Sequence, residues 1–138
     1  MIQALAHVCI LSTNLDRTRD FYCRILRLSP GFDFLRDGQL FGFYIKINDR
    51  QFIEVFKTGD EPSDRTSRLI THLCLETYDI DALSSHLEAS DVATTKKKIG
   101  ADQSWQIWCK DPDGTDIEFH QYTPASSQLT GTACHVDW

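Results

Sequence analysis

The sequence predicts an α+β fold of two repeated β-α-β-β-β modules, and three observations carry that prediction. A histidine inside a short alternating apolar run recurs after 65 positions, from His7 to His72, and a glutamate in a similar run recurs after 64, from Glu54 to Glu118. Each repeat passes through the same order of segments: one with strand period, one with helix period, then three more with strand period. A polar stretch, Thr58 to Arg68 (TGDEPSDRTSR), separates the two. The pattern reads as a duplicated half-domain carrying a divided metal site.

The elements follow in order. Ala4 to Leu11 (ALAHVCIL) alternates as a strand, with Leu5, His7, Cys9 and Leu11 on one face and Ala6, Val8 and Ile10 on the other, and both faces are expected to be buried. Ser12, Thr13 and Asn14 supply capping candidates for a helix over Leu15 to Leu28, whose inner side carries Leu15, Thr18, Phe21, Tyr22, Ile25 and Leu26. Ser29-Pro30-Gly31 is expected to stop it. Three strands come next, Phe32 to Arg36, Leu40 to Ile47 and Gln51 to Lys57, with turn signals at Asp37-Gly38 and Asn48-Asp49.

The second module repeats the plan. Leu69 to Thr77 reads as a strand and Asp79 to Ala89 as a helix presenting Ile80, Leu83 and Leu87. Val92 to Lys98, Ser104 to Lys110 and Thr115 to Tyr122 read as strands, the last two joined by Asp111-Pro112-Asp113-Gly114. The expected organisation is one domain over 1–138, with module one at 4–58, a linker at 59–68, module two at 69–122 and a tail at 123–138. The tail shows little periodicity and is read as an edge or docking segment.

Length and composition narrow the function. A chain of 138 residues suits one globular domain. Fourteen basic against twenty acidic residues leave a formal charge of -6, which disfavours nucleic acid and anionic membrane surfaces. The run Lys96 to Lys98 is too short to reverse that and reads as a solvated strand edge. Five scattered cysteines without a C-x-x-C pair argue for free thiols in a reducing compartment. No stretch has the length needed to cross a bilayer, so the expectation is a cytoplasmic protein with no membrane partner.

Strand parity isolates the chemistry. In FIEVF, Glu54 shares a side with Phe52 and Phe56; in DIEFH, Glu118 shares a side with Asp116 and His120. An ionised carboxylate planted in an apolar strand is costly unless it is paired or ligates a metal. A single strand histidine is usually a hydrogen-bonded core residue, and a single glutamate usually turns its head to solvent. Four such residues in register across a repeat favour metal ligation. His120 is read as a cleft residue or a partner of the ligands. Cys9 and Cys74 are read as small buried apolar packing, and Trp105 and Trp108 as core or cleft wall.

The runs HVCILSTNLDRTRDFYCRIL, FIEVF, THLCLE and DPDGTDIEF resemble the vicinal oxygen chelate superfamily, which includes glyoxalase and dioxygenase-like proteins, over Ala4 to about Tyr122. The resemblance implies two β-α-β-β-β modules whose curved mixed sheets form a metal-binding cleft, within one chain or across a homodimer. It implies His7, Glu54, His72 and Glu118 as ligands of one divalent ion, nickel, zinc, cobalt or manganese rather than iron. Four protein ligands leave an octahedral ion two open positions, enough for a small substrate that chelates through neighbouring oxygens. Two carboxylates suit proton abstraction beside a carbonyl, with Glu118 as the first candidate base and Glu54 the second. The implied activity is thus a glyoxalase-like lyase or isomerase. An extradiol-type dioxygenase, which resembles two histidines with one carboxylate, is the alternative within enzymes. A non-catalytic drug-binding protein is the alternative outside them. Where glyoxalase I tends to carry an arginine and an asparagine, four places after its first histidine and first glutamate, this chain has Leu11 and Thr58. Methylglyoxal conversion with glutathione is therefore only one of the activities the resemblance implies, beside reaction of a different oxygen-chelating substrate.

Overall fold

Strand β1, His7–Ser12, lies parallel to β4, Phe52–Lys57, with β3, Gln39–Lys46, and β2, Ser29–Arg36, continuing the sheet antiparallel in the order β1-β4-β3-β2. The computed structural model describes residues 4–58 and 70–133. The chain divides into two compact units, Met1–Arg68 and Leu69–Trp138. In the second unit β5, His72–Glu76, is parallel to β8, Asp116–Gln121, and β7, Trp105–Lys110, and β6, Lys98–Ile99, complete the order β5-β8-β7-β6. Each sheet is four-stranded and mixed, and the two share one topology. The predicted β-α-β-β-β repeat is what the chain adopts.

In the first unit Asn14 caps the helix, its side chain accepting from Arg17 N. The helix α1, Leu15–Arg19, then widens into a π-helical turn, Asp20–Ile25, closed by Leu26 N donating to Phe21 O at 2.9 Å. Leu15, Thr18, Phe21, Tyr22 and Ile25 are all buried, and α1 lies over β4. The expected run to Leu28 is cut short because Arg27 takes a left-handed φ of 56°, which no continuing helix permits. Ser29-Pro30-Gly31, read as a stop, instead opens β2. Its proline is tolerated because β2 is an edge strand. At the β2–β3 turn Asp37 and Gly38 both have positive φ, 52° and 74°, as the two-residue hairpin signal requires.

The core of this unit is one sheet face, with Phe43, Ile45, Ile53 and Val55 buried beneath α1. Only the inner face of β1 joins it. Ile10 and Ser12 are buried while His7, Cys9 and Leu11 are exposed, which corrects the expectation of two buried faces. The reason is that the helix covers one face of this sheet, and no second layer of its own unit covers the other. Gly42 makes a close approach between strands, since a Cβ there would sit 2.4 Å from Val55 O and 2.5 Å from Phe56 Cδ1. Gly42→Ala is expected to cost about 1–3 kcal/mol by forcing β3 away from β4, read from urea unfolding midpoints. An unchanged midpoint would show that the strands yield without cost.

In the second unit Asp79 caps α2, Ile80–Ala89, accepting from Ala82 N, and α2 packs over β7 and β8 with Ile80 and Leu87 fully buried. The tetrapeptide turn is held by the buried Asp111 side chain, whose Oδ1 accepts from Asp113 N and Thr115 N. The strand expected over Val92 to Lys98 shrinks to Lys98–Ile99. At Thr95 the backbone N–H donates to Trp108 O, but Trp108 N donates to the Thr95 hydroxyl rather than to a carbonyl, so the ladder cannot propagate. Lys97 is not simply solvated, because its Nζ lies 2.6 Å from Asp81 Oδ2 and over the Trp105 ring. The tail contributes a short helix α3, Ser127–Thr130, docked on the 101–104 loop. Ser127 N donates to Asp102 O, and the buried Ser126 hydroxyl meets Gln103 O and Ser104 Oγ. The linker 59–68 and the tail residues Cys134 to Trp138 fall outside the described residues. No helix among the described residues is long and apolar enough to cross a membrane.

Candidate metal centre

The repeat reappears in three dimensions as identical strand register. In the first unit His7 pairs with Phe52 and Cys9 with Glu54 across β1 and β4; in the second His72 pairs with Asp116 and Cys74 with Glu118 across β5 and β8. Each histidine therefore stands two pairs before its glutamate, on the same outward face. His7 Nε2 lies 3.9 Å from Glu54 Oε2, and His72 Nε2 lies 3.3 Å from Glu118 Oε2. The 3.3 Å separation is of the size found between two ligands on one ion, and the 3.9 Å separation is wider.

An aromatic side chain flanks each histidine. Tyr44, opposite Glu54 on β3, meets His7 edge-on with ring centres 5.7 Å apart and its hydroxyl 3.4 Å from Nδ1. Trp108, opposite Glu118 on β7, meets His72 edge-on at 4.9 Å. Trp108 thus lies against His72. Tyr44 was not singled out by the sequence reading, although it stands 64 positions before Trp108, the interval of the two glutamates.

The surroundings of the two pairs differ. Glu54 sits among aromatics: Tyr44 lies against Phe52, Phe32 stacks on Tyr44 at 4.6 Å, and Phe34 packs on Phe56. Phe32 is 60% exposed, so this aromatic face is open in its own unit. Glu118 is 7% exposed and polar at its margin, with His120 Nε2 2.9 Å from its Oε1. Asp102 Oδ2 lies 3.9 Å from His120 Nδ1. Burial works against the Asp102 charge, but hydrogen bonds from Gln128 and Ser104, with the nearby His120, hold its carboxyl below the usual range. Asp102 escaped the sequence reading because a loop and a distant tail bring it there, and neither has a period.

Cys9 and Cys74 are exposed, which corrects their reading as buried packing. They share the open face of the histidines instead of the face beneath the helices. Desolvation of the sulfur, then the hydrogen bond and charge of Glu54, push the Cys9 thiol up to about 11. Desolvation, then Glu118, push Cys74 up to about 12. Tyr44 is likewise raised by desolvation and then by Glu54. Negative charge thus gathers on this face in both units, and it favours a cation. The donors offered, imidazole nitrogen and carboxylate oxygen, suit a borderline divalent ion. Each unit offers one imidazole and one carboxylate of that kind, His7 with Glu54 in the first and His72 with Glu118 in the second.

The sequence profile of the Glyoxalase/Bleomycin resistance protein/Dioxygenase superfamily matches residues 4–119. The uncharacterized protein YaeR of Escherichia coli (strain K12) is 26% identical over 126 residues, covering 87% of this chain and 97% of YaeR. Among solved structures, the lactoylglutathione lyase from Agrobacterium tumefaciens superposes with a TM-score of 0.67 at 18% identity, covering 87% of this chain and 94% of that one. TnmS3, an antibiotic binding protein from Streptomyces sp. CB03234, superposes with a TM-score of 0.70 at 18% identity, over 88% and 98% of the two chains. With a profile match that takes in both copies of the His–Glu repeat, the chain belongs to the glyoxalase, bleomycin resistance protein and dioxygenase superfamily.

Proposed function

We propose that the protein is a divalent-metal-dependent lyase or isomerase of the glyoxalase type, acting on a small substrate chelated through vicinal oxygens. The observation that carries this reading is the twice-repeated His–Glu pair, set in the same strand register and facing the same way in each unit. In this reading each unit gives one pair to the ion, so that His7, Glu54, His72 and Glu118 hold it. When bound, nickel, zinc, cobalt or manganese supplies polarisation of the substrate carbonyl, which acidifies the neighbouring carbon-bound proton. Glu118 takes that proton and returns it to the adjacent carbon, and Glu54 is its counterpart in the first unit. Burial of Glu118 keeps water from the carboxylate while it carries the proton. Tyr44 and Trp108 fix the histidine rings and wall the substrate.

A second reading, non-catalytic capture of a flat ligand, draws on the open aromatic face of Phe32, Phe34 and Tyr44 and on the likeness to an antibiotic binding protein. Manganese separates the two readings because it prefers nitrogen and oxygen donors and is readily counted by its electron spin resonance. The metal-free protein is expected to bind one Mn²⁺ tightly, and Glu54→Gln and His72→Ala are each expected to lose it. Turnover of α-hydroxycarbonyl or thiohemiacetal substrates should then depend on the ion. Wild-type protein that takes up no divalent metal would leave ligand capture as the better account.

A further inference from the structure

The two units depart from each other at one place that matters for metal chemistry. The residue two beyond the glutamate is Phe56 in the first unit and His120 in the second. His120 is 8% exposed, and its Nε2, 2.9 Å from Glu118 Oε1, has no aligned hydrogen-bond partner among the described residues. A buried imidazole nitrogen that close to a carboxylate oxygen without an aligned bond is costly, unless both lone pairs converge on a cation. The two oxygens of Glu118 serve different neighbours, Oε2 facing His72 and Oε1 facing His120. Cys74 completes the group: it, Glu118 and His120 each offer a ligand atom, all within 4.8 Å of one another.

We propose that Cys74 Sγ, Glu118 Oε1 and His120 Nε2 form a second metal position, contained in the second unit and selective for a thiophilic divalent ion such as zinc. It goes beyond the four-ligand reading and needs nothing from His7 or Glu54, sharing only the Glu118 side chain. Thiolate, imidazole and carboxylate are the donors of a tetrahedral zinc with one place open to water. Donor atoms around such an ion lie about 3.3–3.8 Å apart, given bond lengths of about 2.0–2.3 Å, so the His120–Glu118 pair, at 2.9 Å, opens slightly to admit it. The three donors lie within 4.8 Å of one another, Cys74 is exposed and so has room to turn toward the other two, and its proton would leave to solvent as the ion binds. Outside the ligands, Asp102 stands behind His120 Nδ1, held by Ser104 N and by Gln128 Nε2 from α3. At 3.9 Å that carboxylate acts on the imidazole through its charge, and a small approach would let it accept from Nδ1 and orient the ring. The docked tail thereby acquires a role, that of fixing Asp102. In the first unit Cys9 faces Glu54 in the same register, but Phe56 offers no third donor.

Cobalt reports thiolate ligation directly. Metal-free full-length protein titrated with Co²⁺ is expected to develop a thiolate-to-cobalt charge-transfer band in the near ultraviolet. The band should persist in Glu54→Gln and Cys9→Ser and disappear in Cys74→Ser and His120→Ala. Alkylation of the Glu54→Gln protein gives an independent check: Zn²⁺ should block alkylation of Cys74 while Cys9 reacts at its metal-free rate. No band in wild type, a band surviving Cys74→Ser, or equal protection of the two thiols would overturn the proposal. Glu54→Gln keeps the two metal positions apart. Retention of Mn²⁺ with the cobalt band intact sinks only the four-ligand reading, and loss of the band sinks only this one.

Discussion

Glu118→Gln is expected to lower divalent-metal affinity by more than about a hundredfold while leaving the protein folded. Changes to groups that merely orient a ligand cost about 10- to 100-fold in affinity, and this one removes the ligand's charge. The carboxylate is buried and stands between two imidazoles, 3.3 Å from one and 2.9 Å from the other. Without a metal, those neighbours offer it no aligned hydrogen bond from His120. A glutamine amide can donate to either ring nitrogen. In chelator, then, Glu118→Gln should be more stable than wild type by about 1–3 kcal/mol, the range for relieving an unsatisfied buried group. Adding metal at a hundred times the wild-type dissociation constant should raise wild type by about 2.7 kcal/mol and the variant by almost nothing. Urea midpoints with and without metal test this crossing. A variant that still responds to metal as wild type does would remove Glu118 from the site.

The largest stability losses belong to the inward faces of the sheets. Ile53 and Ile117 occupy the positions just before the two glutamates and are both 0% exposed. Ile53→Ala and Ile117→Ala are each expected to cost about 2–5 kcal/mol, through lost burial and the cavity left behind. That is a large share of the roughly 5–15 kcal/mol of a typical domain. Leu11→Ala is the matched control, because Leu11 is 48% exposed on the outward face of β1 and should change stability by less than about 0.5 kcal/mol. If Leu11→Ala proves as costly as Ile53→Ala in urea unfolding, the outward face of β1 is covered after all.

Much of this arrangement was legible in the chain, because it rests on local signals. Alternation in FIEVF and DIEFH put the glutamates opposite Ile53, Val55, Ile117 and Phe119, and all four of those residues are buried beneath a helix. Asn14 and Asp79 cap their helices because a short acceptor side chain satisfies a free N–H wherever a helix begins. Asp37-Gly38 forms its turn because positive φ at both places is a property of those two residues. What misled the reading was local pattern without tertiary context. VCIL is apolar on both sides, yet β1 has a single covered face, because a helix lies on only one side of its sheet. Val92 to Lys98 has strand composition, yet the Thr95 hydroxyl takes the place of a backbone acceptor.

The sequence by itself determined the duplication, the order of elements and which side chains lie on the same face as each His and Glu, since period and spacing fix how side chains alternate along a strand. Only the tertiary structure decided that Tyr44 and Trp108 stand against the histidines, that Cys9 and Cys74 are open, and that Asp102, His120 and the tail gather behind Glu118. Those relations depend on strand pairing and loop closure between residues far apart in the chain. No periodicity within a single segment encodes them.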